Sequence, residues 1–162
     1  MTDHVAGIGE LCASNCQGDR LKTFALGSCV AVVIRDSRSN ASGLVHIALP
    51  ESKTNPDRAK ALPGYFADTG IPLLLKELES WGMKKGTRGV SVKIIGGSNI
   101  QDRKNVFNIG KRNILAIKKI LWQLGMGPVA EDVSGTISRT VSVAVSTGMI
   151  KVTSNKREEI EI

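Results

Sequence analysis

Apolar and polar positions along the chain follow two rhythms. Val30-Ala31-Val32-Val33-Ile34 is an unbroken apolar run rich in β-branched residues, the pattern of a strand buried on both faces, and the strand extends to Asp36. Residues 44–49 form a second such run, stopped by Pro50. The residues between them, 37–43, have loop composition, so the two runs predict a hairpin. Weaker strand patterns lie at 5–11, 21–25, 90–95, 129–133, 140–145 and 149–153, with an edge strand in the tail 155–162. Helical spacing joins Leu74, Leu75, Leu78 and Trp81, with Thr69 as N-cap, Pro72 in the first turn and Gly82 as the stop. A further turn over 65–68 would place Pro72 inside a longer helix. Ile114, Ile117, Leu121 and Leu124 line one face of a second helix, capped by Asn108 and ended by Gly125, with Lys111, Arg112, Lys118 and Lys119 turned away. Residues 51–62 and 98–107 read as loops. Many strands with two helices far apart in sequence predict an α+β fold, one domain spanning 1–162.

Composition narrows this picture. Aromatic residues make up only 4% of the 162, so the core must be aliphatic. No apolar run approaches the roughly 20 residues a bilayer demands. Met1-Thr2-Asp3-His4 lacks a basic start followed by an apolar stretch, so the expected location is the cytoplasm, without membrane insertion. The net charge of +7 favours acidic partners. No nucleic-acid motif accompanies it, and aromatic residues for base stacking are scarce, so nucleic acid is not expected. Gly96-Gly97 follows a strand, but no phosphate-loop lysine pattern does, so neither a nucleotide nor another cofactor is expected.

The candidate chemistry lies around Gly27-Ser28-Cys29. Gly27 permits a sharp corner, which carries Cys29 to the mouth of the first buried run. The plainer reading is a small hydrophobe filling core. If the hairpin turns near Arg38 and Ser39, His46 faces Ala31, and Cys29 becomes its diagonal neighbour at about 7–8 Å on the same face. A slip of one residue would move His46 to the opposite face. An imidazole beside a thiol takes its proton, and the thiolate is a competent nucleophile. Such a pair needs a third group to orient the ring, and Thr23 is the candidate. His4, at the terminus, is expected to be solvated. Cys12, Cys16, Cys29 and His46 form a nominal zinc set, but Cys29 and His46 are too far apart in sequence for the usual tight spacing. No metal is expected, and Cys12 and Cys16 read as incidental reduced thiols.

Leu26-Gly27-Ser28-Cys29-Val30-Ala31-Val32, followed by Val45-His46-Ile47-Ala48-Leu49-Pro50, resembles the CheD family of chemoreceptor glutamine deamidases. The likeness continues through Tyr65, Ala67-Asp68-Thr69, Gly96-Gly97, Asn108-Ile109-Gly110-Lys111-Arg112-Asn113, Ala130-Glu131-Asp132 and Arg139, and ends near 148–152. The resemblance implies a cysteine hydrolase that converts glutamines on the cytoplasmic helices of methyl-accepting chemoreceptors to glutamate, with methyl esters of the same residues as further substrates. It implies Cys29, His46 and Thr23 as catalytic residues. It also implies a mixed β-sandwich flanked by helices, similar to cytotoxic necrotizing factor-type cysteine deamidases, and a CheC-like phosphatase as partner. Ser134-Gly135 and Ser138-Arg139 depart from the family's glycine pattern, and Gly70 and Pro72 interrupt a stretch the family keeps helical. Two rival readings remain: a non-catalytic module that contacts a phosphatase or receptor, and a thiol hydrolase or transferase of another substrate class.

Overall fold

A computed structural model describes residues 1–100, 104 and 106–162, so part of the loop expected at 98–107 lies outside the described residues. In chain order the elements are β1 (Asp3–Val5), β2 (Leu11–Ser14), β3 (Arg20–Leu26), β4 (Val30–Asp36), β5 (Ala41–Ile47), α1 (Pro56–Ala61), α2 (Ala67–Ser80), β6 (Val90–Gly96), α3 (Ile109–Gln123), β7 (Pro128–Val133), β8 (Arg139–Ala144), β9 (Ile150–Ser154) and β10 (Arg157–Glu161). Single 3₁₀ turns at Ser52–Thr54 and Pro63–Tyr65 flank α1.

The fold is α+β, built on two mixed sheets of five strands. One has the order β1-β3-β8-β9-β10, the other β2-β5-β4-β6-β7. Each contains one parallel pair, β1 with β3 and β6 with β7, among antiparallel neighbours. The buried runs occupy the centre of the second sheet. β4 lies between β5 and β6, and β5 is buried along its whole length. One face of this sheet meets the other sheet through Ala31, Val33, Leu44 and Ile95 against Leu21, Leu26, Val141 and Val143. The opposite face is covered by α2 and α3, through residues such as Ile71, Leu74, Leu78, Ile117 and Leu121. Each fully buried Leu or Ile there contributes roughly 1.5–3 kcal/mol of transfer free energy. The core is aliphatic: Phe66 is the one aromatic among the largest fully buried side chains of the described residues.

The hairpin forms in the expected register. Ala31 pairs with His46 and Val32 with Val45, while Asp36 pairs with Ala41 across the turn. At that far end, buried Asp36 accepts from Arg38 Nε at 2.8 Å and from the backbone N–H groups of Arg38 and Lys84 at 2.9 Å each. Burial alone would raise this carboxyl, but those donors outweigh it and hold it at about 2. The charge-assisted clamp fixes the turn and therefore the register that places His46.

Several local expectations fail for identifiable reasons. Residues 5–11 are not one strand: the chain turns at 7–9, separating β1 in one sheet from β2 in the other. The stretch 51–62 is not a loop throughout, because Asn55 caps α1 by accepting from the Arg58 N–H at 3.1 Å. Thr69 is not an N-cap. Helix α2 starts earlier and runs unbroken past Gly70 and Pro72, while the Thr69 hydroxyl donates to the Pro63 carbonyl. Asn108 does sit at the N-cap of α3, in a left-handed conformation with no side-chain cap bond. Among the described residues no helix is long and apolar enough to cross a membrane.

Candidate active site

Cys29 stands one residue before β4, on a corner gripped from behind. Ser98 N–H donates to Gly27 O at 2.8 Å, and Gly97 N–H donates to Cys29 O at 2.8 Å. This approach requires glycine at 96, where φ is +117° and a Cβ would run into the Cys29 carbonyl oxygen. Helix α3 closes against the same loop, since Gly110 packs on the Gly97 carbonyl so closely that a side chain would collide. One turn further, buried Asn113 donates from Nδ2 to Ser28 O at 2.9 Å and to Ala48 O at 3.0 Å.

His46 enters from β5 and is 1% exposed. Its ring crosses to the other sheet, where Thr23 Oγ1 lies 2.7 Å from Nδ1. Thr23 Oγ1 is also 2.7 Å from the Ala6 carbonyl oxygen. A hydroxyl has one proton, and a carbonyl only accepts, so Thr23 donates to Ala6 and accepts from Nδ1–H. That assignment leaves Nε2 as a bare lone pair. It is buried and has no hydrogen-bond partner among the described residues. Cys29 packs against the same inter-sheet layer that the imidazole enters. The structure thus brings Thr23, Cys29 and His46 to one layer, two strands and a corner supplying one residue each.

Burial pushes the Cys29 thiol above its ordinary value, only partly offset by its own backbone N–H, which points at the sulfur. Burial pushes His46 down to about 4. Both shifts favour the uncharged forms of thiol and imidazole. An apolar layer penalises separated charges.

Beside Cys29 lies a cleft of about 990 Å³, bordered among others by Ala25, Ser98, Asn108, Lys111 and Ser134. Ala25, Asn108 and Ser134 have φ of +55°, +49° and +66°, left-handed values that cost a non-glycine residue roughly 1–3 kcal/mol each. The far wall is held by Arg139, 3% exposed, which donates to Ser98 Oγ at 2.6 Å and to Asp132 at 2.9 Å. Arg157 adds two bonds to Asp132, at 2.9 and 2.6 Å. Burial would raise Asp132, but the two guanidinium groups hold it below the usual carboxylate range.

The remaining candidates lie elsewhere. His4 is not simply solvated: its Nε2 is 2.9 Å from Asp19 Oδ2. Cys12 Sγ–H donates to the His4 carbonyl at 3.6 Å, and burial pushes that thiol up to about 12, while Cys16 is exposed. Among the described residues no three of His, Cys, Asp and Glu converge as a metal set. Reasoning from sequence did not assign roles to Asn113 or to the Asp132–Arg139 pair. The available signal for Asn113 was a polar residue on the inner stripe of α3, beside Gly110, Ile114 and Ile117.

Fold and site together define a two-sheet α+β protein carrying a cysteine–histidine–threonine cluster at the edge of an open cleft. Residues 48–154 match the family model described as CheD chemotactic sensory transduction, and the chain belongs to the CheD family. The matched range begins just after His46, so it does not rest on the three clustered residues. Over all 162 residues the chain is 51% identical to the whole of a Syntrophotalea carbinolica protein named "Probable chemoreceptor glutamine deamidase CheD". It is 42% identical to a Syntrophus aciditrophicus protein named "Probable chemoreceptor glutamine deamidase CheD 1", over 96% of each chain. It is also 37% identical to the Thermotoga maritima protein named "Chemoreceptor glutamine deamidase CheD", over 91% of this chain and 89% of that one.

Proposed function

We propose that this chain is a chemoreceptor glutamine deamidase, with Cys29 as nucleophile, His46 as proton carrier and Thr23 as the group orienting His46. The observation that carries the reading is the Thr23–His46 bond, which spends Nδ1–H on a neutral hydroxyl and leaves the Nε2 lone pair in the layer holding Cys29. The relatives' names supply the substrate class.

The reaction runs in two halves. As Cys29 sulfur bonds to the glutamine carboxamide carbon, its proton passes to His46 Nε2. The developing oxyanion takes hydrogen bonds from backbone N–H groups at the corner, of which that of Cys29 already faces the sulfur. Removing one such donor typically costs roughly 2.7–4 kcal/mol. His46 returns the proton to the leaving nitrogen, the C–N bond breaks, and ammonia departs from a thioester. Water then gives its proton to His46 and attacks the thioester carbon. The C–S bond breaks, the sulfur recovers the proton, and glutamate leaves. A methyl ester follows the same course with methanol as leaving group.

A protein-sized substrate is supported by apolar side chains bordering the cleft, where Ile100 is 39% and Phe107 67% exposed. Under this reading residues 1–162 act as one domain, in the cytoplasm, on the cytoplasmic helices of chemoreceptors. The face-to-face pairing of two mixed sheets supports a β-sandwich of the cytotoxic necrotizing factor deamidase type, and the resemblance extends the partners to a CheC-like phosphatase. The test is incubation with the cytoplasmic fragment of a chemoreceptor, following ammonia release and amide-to-acid mass change. Wild type should give both and Cys29→Ala neither. No release by wild type, or release by the variant, overturns the proposal.

A further inference from the structure

Asn113 ties together the two segments that carry the proposed chemistry. Its Nδ2 group makes both bonds to backbone carbonyls, of the residue just before Cys29 and of the residue two beyond His46. Both partners are pure acceptors, so the amide orientation is dictated: the reversed amide would set oxygen against oxygen twice. The side chain is 0% exposed, and its Oδ1 is buried with no partner among the described residues. An orphaned buried acceptor is a cost to the fold.

The Ser28 bond has a specific mechanical consequence. A peptide group is planar and trans, so its C=O and N–H point in opposite directions. Fixing the Ser28 carbonyl on Asn113 therefore fixes the direction of the Cys29 N–H on the opposite side of that peptide. That N–H belongs to the residue that carries the sulfur, and under the deamidase reading it is a backbone donor for the oxyanion. The Ala48 bond draws the end of the His46 strand to the same amide. Helix α3 is itself seated on the corner by the contact of Gly110 with Gly97.

We infer that Asn113 is a positioning residue of the active site: from α3 it sets the direction of the Cys29 N–H and the approach of the Cys29 corner to the His46 strand. The inference deepens the deamidase reading and rests on it for the role of Cys29, but its test does not depend on the substrate. Site-resolved alkylation of Cys29 by iodoacetamide, quantified by mass spectrometry between pH 6 and 10, reads the sulfur directly, with exposed Cys16 as internal control. Asn113→Leu keeps the volume and removes the donor. In the folded variant, Cys29 alkylation at pH 8 and kcat for receptor deamidation should each fall about tenfold or more, with KM nearly unchanged and Cys16 unaffected. Asn113→Asp keeps the shape and restores one donor only when protonated, so its Cys29 reactivity relative to wild type should recover as pH falls. It decides the matter if the leucine variant does not fold. Wild-type Cys29 reactivity in folded Asn113→Leu, or a pH-independent ratio in Asn113→Asp, overturns the inference. Failure of wild type to deamidate a receptor would instead remove the deamidase reading, leaving the alkylation result to judge Asn113 alone.

Discussion

His46 and His4 each meet a side-chain oxygen at hydrogen-bond distance, 2.7 Å from Thr23 Oγ1 in one region and 2.9 Å from Asp19 Oδ2 in the other. The partners differ in charge. Thr23 has already given its proton to Ala6, so it fixes a tautomer without supplying a field. Asp19 is a carboxylate that also accepts from the Ser14 hydroxyl at 2.8 Å and the Thr2 N–H at 3.0 Å. The His4 bond first, then Ser14, hold it at about 2. A neutral orienting group in a buried layer leaves an uncharged ring with one lone pair to use. A charged one, nearer the surface, makes the ring an anchor for the N-terminal strand β1. Under the proposed function, the distinction between a proton carrier and a structural histidine lies in the partner and the burial.

The largest effect should come from removing the lone pair. His46→Gln keeps a polar side chain of similar reach but cannot carry the proton, and kcat for receptor deamidation should fall by roughly 10²–10⁴. Steady-state ammonia release measures it; a loss of only severalfold would remove His46 from the chemistry. Thr23→Val is the next step down. It keeps the shape but strands Nδ1–H and the Ala6 carbonyl, so kcat should fall about tenfold to a hundredfold. Stability should fall by about 2 kcal/mol, because buried polar groups lose partners. Thr23→Ser, which keeps the hydroxyl, should restore most of the rate. If Thr23→Ser is as slow as Thr23→Val, the orienting role fails.

Acid titration separates the two regions on stability. His46 is held at about 4 by burial, below its ordinary 6.5, so between those values the unfolded chain binds a proton that the folded chain refuses. Stability from this site is therefore complete above pH 6.5 and lost as pH falls toward 4, by about 3 kcal/mol. Asp19 and Asp36 sit at about 2 against an ordinary 3.8, so their contributions persist through that window and fade only as pH falls from 3.8 through 2. Urea unfolding at a series of pH values should show the upper slope in wild type and Asp19→Asn, and lose it in His46→Phe. An upper slope that survives in His46→Phe would place the acid sensitivity elsewhere.

The register that makes the active region was legible because it depends on local patterning. Two apolar runs with a short polar link leave few pairings, and period-two alternation then puts His46 and Cys29 on one face. The reach of Thr23 to His46 could be suggested but not seen, since it crosses between sheets whose strand orders involve long-range returns. The break in 5–11 was hidden for the same reason: β1 and β2 belong to different sheets, a tertiary choice that the alternation does not encode. Continuous α2 shows packing overriding propensity, because Ile71, Leu74 and Leu78 bury a face that outweighs one lost N–H at Pro72. The direction in which burial shifts Cys29 and His46 was not legible at all. It depends on how much water reaches each atom.

The smallest expected effect tests the anchor. His4 is 31% exposed at its side chain, and partly exposed ion pairs contribute little. His4→Asn should leave receptor kcat within about twofold of wild type. Its melting temperature should fall only slightly. Ser14 and the Thr2 N–H remain on Asp19, so the carboxylate keeps two of its donors and β1 stays attached. The informative comparison is with Thr23→Val, measured in the same receptor assay. If His4→Asn slows deamidation as much as Thr23→Val does, the charged cluster is coupled to the chemistry after all, and the division between carrier and anchor does not hold.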